Sequence, residues 1–130
     1  KPGAKEYLES IKKKGIRLAV ATSSDQALYA PCLKNNGIYD LFDAFVQVKE
    51  VSRGKGFPDI YYEAAHRLGL KSKECVVFED ILAGVKGAKQ GGFHTVGIYD
   101  KNSFYEHEEM KKIADIFSVN WMDDRLQHIF

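Results

Sequence analysis

Long apolar runs are absent from this 130-residue sequence. No stretch approaches the roughly 20 residues that a membrane-spanning helix needs, and nothing in the opening residues reads as a secretory leader. An excess of charge of one sign is lacking too. The 19 basic and 18 acidic residues give a formal net charge of +1, so no nucleic-acid or membrane-binding face is announced. Cysteine is scarce: Cys32 and Cys75 lie far apart in a metal or redox sense and match no ligand spacing. That excludes a disulfide scaffold and makes a reducing cytoplasm the expected compartment. With no internal repeat and no low-complexity stretch, residues 1–130 read as one domain, large enough to bury a core.

What is present alternates. Pro2-Gly3-Ala4 opens a helix in which Ala4, Leu8 and Ile11 share a face flanked by Tyr7. Lys12-Lys13-Lys14 falls at its end, where basic residues complement the helix dipole. Ile16 to Ala21 reads as a buried strand running into Thr22-Ser23-Ser24-Asp25. A strand that ends in small hydroxyl residues before a helix offers amides and hydroxyls to an anion, although the same residues serve as ordinary helix caps. A helix is expected over Asp25 to Asn36, either kinked by Pro31 or beginning near it. Ala44 to Val48 is the next strand, followed by the loop Ser52 to Asp59, which carries the lone cation Lys55. Pro58 opens a helix with Ile60 or Tyr61, Ala64, Ala65 and Leu68 on its buried side.

The chain is organised around Glu74 to Ala88. Cys75 to Phe78 is a short apolar run of the kind that forms a strand buried on both faces. Two carboxylates, Glu79 and Asp80, close it, and Ile81, Val85 and Ala88 then recur at helical spacing. Acids at the carboxyl end of a parallel strand point into the crevice where open α/β sheets bind ligands. Asp80 is equally a good N-cap for a helix starting at Ile81, and Glu79 a plausible solvated loop residue. His94 to Ile98 gives a further strand, closed by Tyr99-Asp100. Ser103 to Ile113 reads as a surface helix, Asp115 to Val119 as an edge strand, and Trp121 to Phe130 as a weak terminal helix. Strands alternating with helices specify an α/β fold: a Rossmann-like parallel sheet with helices on both faces.

Thr22 after one strand, Lys55 before a helix and Glu79-Asp80 after another strand together resemble the haloacid dehalogenase-like hydrolase superfamily. The likeness is to its phosphatase and β-phosphoglucomutase-like branch. Pro2-Gly3 through Ser24 looks like the approach to that family's second motif, with Thr22 at the phosphate-binding position. Arg53-Gly54-Lys55 with Pro58-Asp59 and Tyr61 looks like the third motif, whose lysine contacts phosphate and nucleophile; Gly56 departs from its usual proline. Glu79-Asp80 with Gly84 resembles the fourth motif, whose acids hold Mg²⁺; Ile81 departs from a frequent serine. The resemblance implies Mg²⁺ as cofactor, Asp80 and Glu79 as metal residues, and Thr22, Ser23 and Lys55 as phosphate-binding residues. Thr22 and Lys55 are the catalytic candidates. The implied substrate is a small phosphorylated metabolite, neutralised by charge rather than attacked by strong acids.

The family's first motif, Asp-x-Asp, is missing. Asp40-Leu41-Phe42-Asp43 has the wrong spacing and Asp123-Asp124 lies at the wrong end. In the family this motif supplies the nucleophile, on a central strand between those carrying motifs two and four. The expectation is therefore an incomplete core domain without its central first strand or cap, inactive by itself. Completion would come from a preceding segment or from strand exchange with a second chain. The alternative is a non-catalytic module that binds a phosphorylated ligand or a protein.

Overall fold

The computed structural model describes all 130 residues, Lys1–Phe130. In order, the elements are α1 (Ala4–Lys13), β1 (Ala19–Thr22), α2 (Gln26–Asn35), β2 (Ala44–Gln47), α3 (Asp59–Arg67), β3 (Val76–Glu79), α4 (Leu82–Gln90), β4 (His94–Ile98), α5 (His107–Ile113), β5 (Ile116–Ser118) and α6 (Asp124–Gln127). Short 3₁₀ turns join several of them; the one that matters for the site is Lys101–Glu106. Every strand pairing is parallel, as a helix between successive strands requires. β1 pairs with β2, placing Thr22 opposite Gln47. β3 pairs with β4 and β4 with β5, placing Glu79 opposite Gly97. The result is two sheets, β1-β2 and β3-β4-β5, and the expected α/β architecture.

β1 and β3 face each other across a cleft instead of pairing. A cavity of about 680 Å³ runs between them, lined by Leu18–Ala21 on one wall and Val76–Glu79 on the other. Of its 27 lining residues 22 are hydrophobic, so the cleft suits side chains rather than a phosphate. It also corrects the expectation of two fully buried strands. All four residues of β1, and Val76 to Phe78 of β3, are only half-buried, whereas Thr95 to Ile98 of β4 are buried.

Two apolar clusters hold the layers. Tyr7, Ile11 and Leu18 pack with Val96, Ile98 and Leu126. Val46, Ile60, Tyr61, Ala65, Ala88 and Phe93 form the second cluster. Tyr7 is central to the first rather than flanking it. It is buried, its ring lies 5.9 Å from that of Phe78 and 5.7 Å from that of Trp121, and its hydroxyl donates to the Leu126 carbonyl at 3.0 Å. Burial raises that hydroxyl's pKa to about 12.

α2 runs unbroken through Pro31, so the helix does not begin there. Its fixing contacts are tertiary: Ala30 is buried and the Tyr29 ring stacks on Phe45 at 5.3 Å. Such contacts offset one lost backbone bond. Lys12 does more than complement a dipole. Its ammonium pairs with Asp43, whose carboxylate accepts the Leu18 N–H at 2.8 Å and so ties α1 to the approach to β1. The segment after Tyr99 is a 3₁₀ turn before a seven-residue helix, and the terminal helix is shortened to Asp124–Gln127.

Candidate active site

Glu79 ends β3 and is buried, with 7% of its side chain exposed. A lone buried carboxylate is costly, so partners must meet it. Its Oε2 accepts from Lys55 Nζ at 2.9 Å and from the Tyr61 hydroxyl at 2.6 Å. Lys55 is itself 17% exposed. The Tyr61 hydroxyl is pushed far above its ordinary pKa, first by burial and then by the Glu79 charge. It therefore stays a proton donor to Glu79. Two residues from separate parts of the chain, 24 and 18 positions away, are thus locked onto one oxygen.

Helix α4 makes that arrangement possible by presenting bare backbone. A Cβ on Gly84 would stand 2.4 Å from Glu79 Cδ, and one on Gly87 would stand 2.1 Å from the Lys55 carbonyl oxygen. Neither distance is attainable. Gly84 makes room for the Glu79 side chain, and Gly87 makes room for the loop that carries Lys55.

Asp80 follows in the chain but faces differently. The N-cap of α4 is Ile81, which makes no side-chain cap hydrogen bond. Asp80 is therefore not the cap that its position allows. Its carboxylate is 41% exposed and takes the Lys1 ammonium at 3.1 Å. The same ammonium reaches Asp100, just past the end of β4, at 3.2 Å. Asp100's carboxyl is held below its ordinary pKa, chiefly by the Asn102 N–H and then by Lys1. Two acids beyond adjacent strand ends thus already gather one cation.

On the other wall, Thr22 ends β1 and its Oγ1 accepts the Ser24 N–H at 3.0 Å. This hydrogen bond rounds the turn that leaves Ser23 exposed before α2. Lys55 and Glu79 therefore form one largely buried pair, Asp80 faces outward directly after it, and Thr22 and Ser23 stand at the carboxyl end of the strand across the cleft. The sequence did not reveal Tyr61 as a partner of Glu79, nor Lys1 and Asp100 beside Asp80. Asp100 did carry a signal, since it is an acid at a strand end like Asp80.

The haloacid dehalogenase-like hydrolase family model matches residues 1–92. The chain belongs to this hydrolase family. It is 34% identical over 101 residues to the putative phosphatase YhcW of Bacillus subtilis, a match covering 78% of this chain and 46% of that protein. It is 38% identical over 95 residues to the phosphorylated carbohydrates phosphatase of Thermotoga maritima, covering 73% and 44% respectively. Among solved structures, a putative β-phosphoglucomutase from Thermotoga maritima superposes with a TM-score of 0.83 at 31% identity. That match covers all of this chain and 61% of the other. The haloacid dehalogenase-like chain spans about half the length of those two curated relatives.

Proposed function

We propose that this chain forms the carboxyl-terminal part of the core of a Mg²⁺-dependent phosphoryl-transfer hydrolase. In this reading the protein acts on a small phosphorylated metabolite as a phosphatase or a phosphosugar mutase. The observation that carries it is the Lys55–Glu79 pair at the end of β3, directly before the outward-facing Asp80. Names of two relatives, the phosphorylated carbohydrates phosphatase and validoxylamine A 7′-phosphate phosphatase, are in keeping with that substrate class.

The residues have distinct tasks. Lys55, steered by Glu79 and Tyr61, supplies a fixed positive charge to a phosphoryl oxygen. Thr22, through its hydroxyl, and Ser23, through its exposed backbone, donate hydrogen bonds to the same group. Asp80 would hold Mg²⁺. Its carboxylate is spared from capping, is open to solvent and already draws the Lys1 ammonium, and hard carboxylate oxygen suits that ion. Glu79, with Oε2 committed to Lys55 and Tyr61, has its other oxygen for the metal or for water on it. When bound, Mg²⁺ neutralises charge on the transferring phosphate.

The attacking carboxylate would come from a strand seated between β1 and β3. Such a strand buries four or five apolar side chains, each contributing about 1.5–3 kcal/mol. Its source would be a preceding segment of the same polypeptide, or a second copy by strand exchange. The absence of Asp-x-Asp from these residues also favours a second reading, a non-catalytic phospholigand-binding or protein-binding module. One assay separates the readings: p-nitrophenyl phosphate turnover with and without Mg²⁺, by the full-length protein and by the 130 residues alone. Mg²⁺-dependent turnover only in the full-length protein supports the enzyme. A silent full-length protein supports the module, and turnover by the 130 residues alone refutes the supplied nucleophile.

A further inference from the structure

The turn that carries Asp80 is gripped from outside by the 3₁₀ segment Lys101–Glu106. Within Lys101–Glu106, the buried Ser103 donates its hydroxyl to the Asp80 carbonyl at 2.6 Å. Glu106 Oε1 accepts the Leu82 N–H at 3.2 Å. Leu82 is the first residue of α4, and its N-cap, Ile81, has no side chain able to accept from a free amide. A carboxylate at a helix N-terminus satisfies an orphan donor and complements the dipole. Glu106 therefore satisfies, from 24 residues away, the amide of the helix's first residue.

The grip is itself anchored. Asp100 turns the segment by accepting the Asn102 N–H at 2.8 Å. His107, directly after Glu106, is buried with its ring centroid 4.8 Å from Tyr99, 5.6 Å from Phe104 and 5.1 Å from Phe117. Met110 one turn later is fully buried. The two hydrogen bonds thus tie the turn to a fixed element rather than to a free loop.

We infer that Ser103 and Glu106 are positioning residues for Asp80, holding the turn between β3 and α4 so that its carboxylate is preorganised for a divalent cation. This deepens the proposed function and depends on Asp80 being the metal ligand. Preorganisation matters here because Asp80's carboxylate has only the exposed Lys1 and no buried partner to orient it.

The test is Mn²⁺ binding to the full-length protein, followed by electron paramagnetic resonance without substrate. Glu106→Ala should weaken binding about three- to tenfold, the size of one lost hydrogen bond felt at the neighbouring turn. Glu106→Gln should keep it within about twofold of the parent, because the amide oxygen can still accept the Leu82 N–H. Ser103→Ala should weaken binding to a similar degree. Should that buried variant fail to fold, the comparison of Glu106→Ala with Glu106→Gln, at a residue that is not buried, decides the matter alone. Unchanged affinity in Glu106→Ala, or an equal loss in Glu106→Gln, would overturn the inference. Asp80→Asn is the control for the underlying reading. If it leaves Mn²⁺ binding intact, the metal assignment itself fails, whatever Glu106 does.

Discussion

The side chain of Glu79 lies against the bare α-carbon of Gly84: a methyl group there would stand 2.6 Å from the carboxylate oxygen that holds both Lys55 and Tyr61. Glu79 cannot retreat, because it is buried and fixed from two sides. Gly84→Ala should therefore displace the carboxylate and destabilise the fold by about 1–3 kcal/mol, although alanine is the better helix former. Urea denaturation of the full-length protein measures this. A variant as stable as the parent, or more stable, would show that Glu79 is free to move.

Gly87 makes the complementary prediction for the loop. Its added methyl would meet backbone, the carbonyl oxygens of Lys55 at 2.1 Å and Phe57 at 2.7 Å. Backbone yields less readily than a side-chain tip. Gly87→Ala should lower phosphate turnover by the full-length protein at least about tenfold, because it shifts Lys55 without touching its charge. Parental turnover would mean that the lysine's position tolerates movement of its loop.

Lys55→Ala removes the cation from a largely buried pair and leaves Glu79 with Tyr61 alone. The expected loss of stability is about 2–3 kcal/mol, below the range for a fully buried pair because Lys55 is partly exposed. Lys55→Ala with Glu79→Gln should recover part of that loss, since no uncompensated charge remains. Stability measured across this double-mutant cycle is the check. Simple additivity of the two changes would argue against a coupled pair.

Acid should weaken the fold through carboxylates far from this pair. Asp43 is held below its ordinary pKa by Lys12 and then by the Leu18 N–H. Burial works to raise Asp115, but Lys89 and Thr95 outweigh it and the net shift is downward. Arg125 lowers Asp123 strongly. For such groups the stabilisation is complete above the unfolded-state value of about 4 and disappears as pH falls through the lower folded value. Unfolding midpoints should change little on this account between pH 7 and 5 and drop below about pH 4, with Asp115→Asn making that drop shallower. A drop of undiminished steepness in Asp115→Asn would remove Asp115 from the account.

Local pattern revealed what local physics determines. Apolar runs such as His94 to Ile98, punctuated by Gly15 and Gly37 after helices, announced the alternation that makes a parallel sheet. Glu79, Asp80 and the lone Lys55 pointed to a candidate site only in combination, through the family resemblance. Tyr61 was visible as a buried helix residue, but that its hydroxyl meets Glu79 depends on how α3 packs against β1, β2 and α4. Asp80 looked like a cap because a cap is a local property; α4 instead begins at Leu82 with Ile81 as its N-cap, and the Leu82 amide is met by Glu106, 24 residues beyond it. The half-exposure of β1 and β3 was not visible in their apolar runs, which read the same beside a cleft as beside another strand; it was implied only by the missing central strand of the family resemblance.

The central claim is that Asp80 holds the metal, and the Mg²⁺ dependence of Asp80→Asn in the full-length protein tests it most directly. The Lys1–Asp80 pair is exposed, so the substitution should alter stability by no more than about 1 kcal/mol. The Mg²⁺ concentration needed for half-maximal phosphatase activity should nevertheless rise at least about 100-fold, or activity should vanish. A folded Asp80→Asn protein with parental Mg²⁺ dependence would contradict the account.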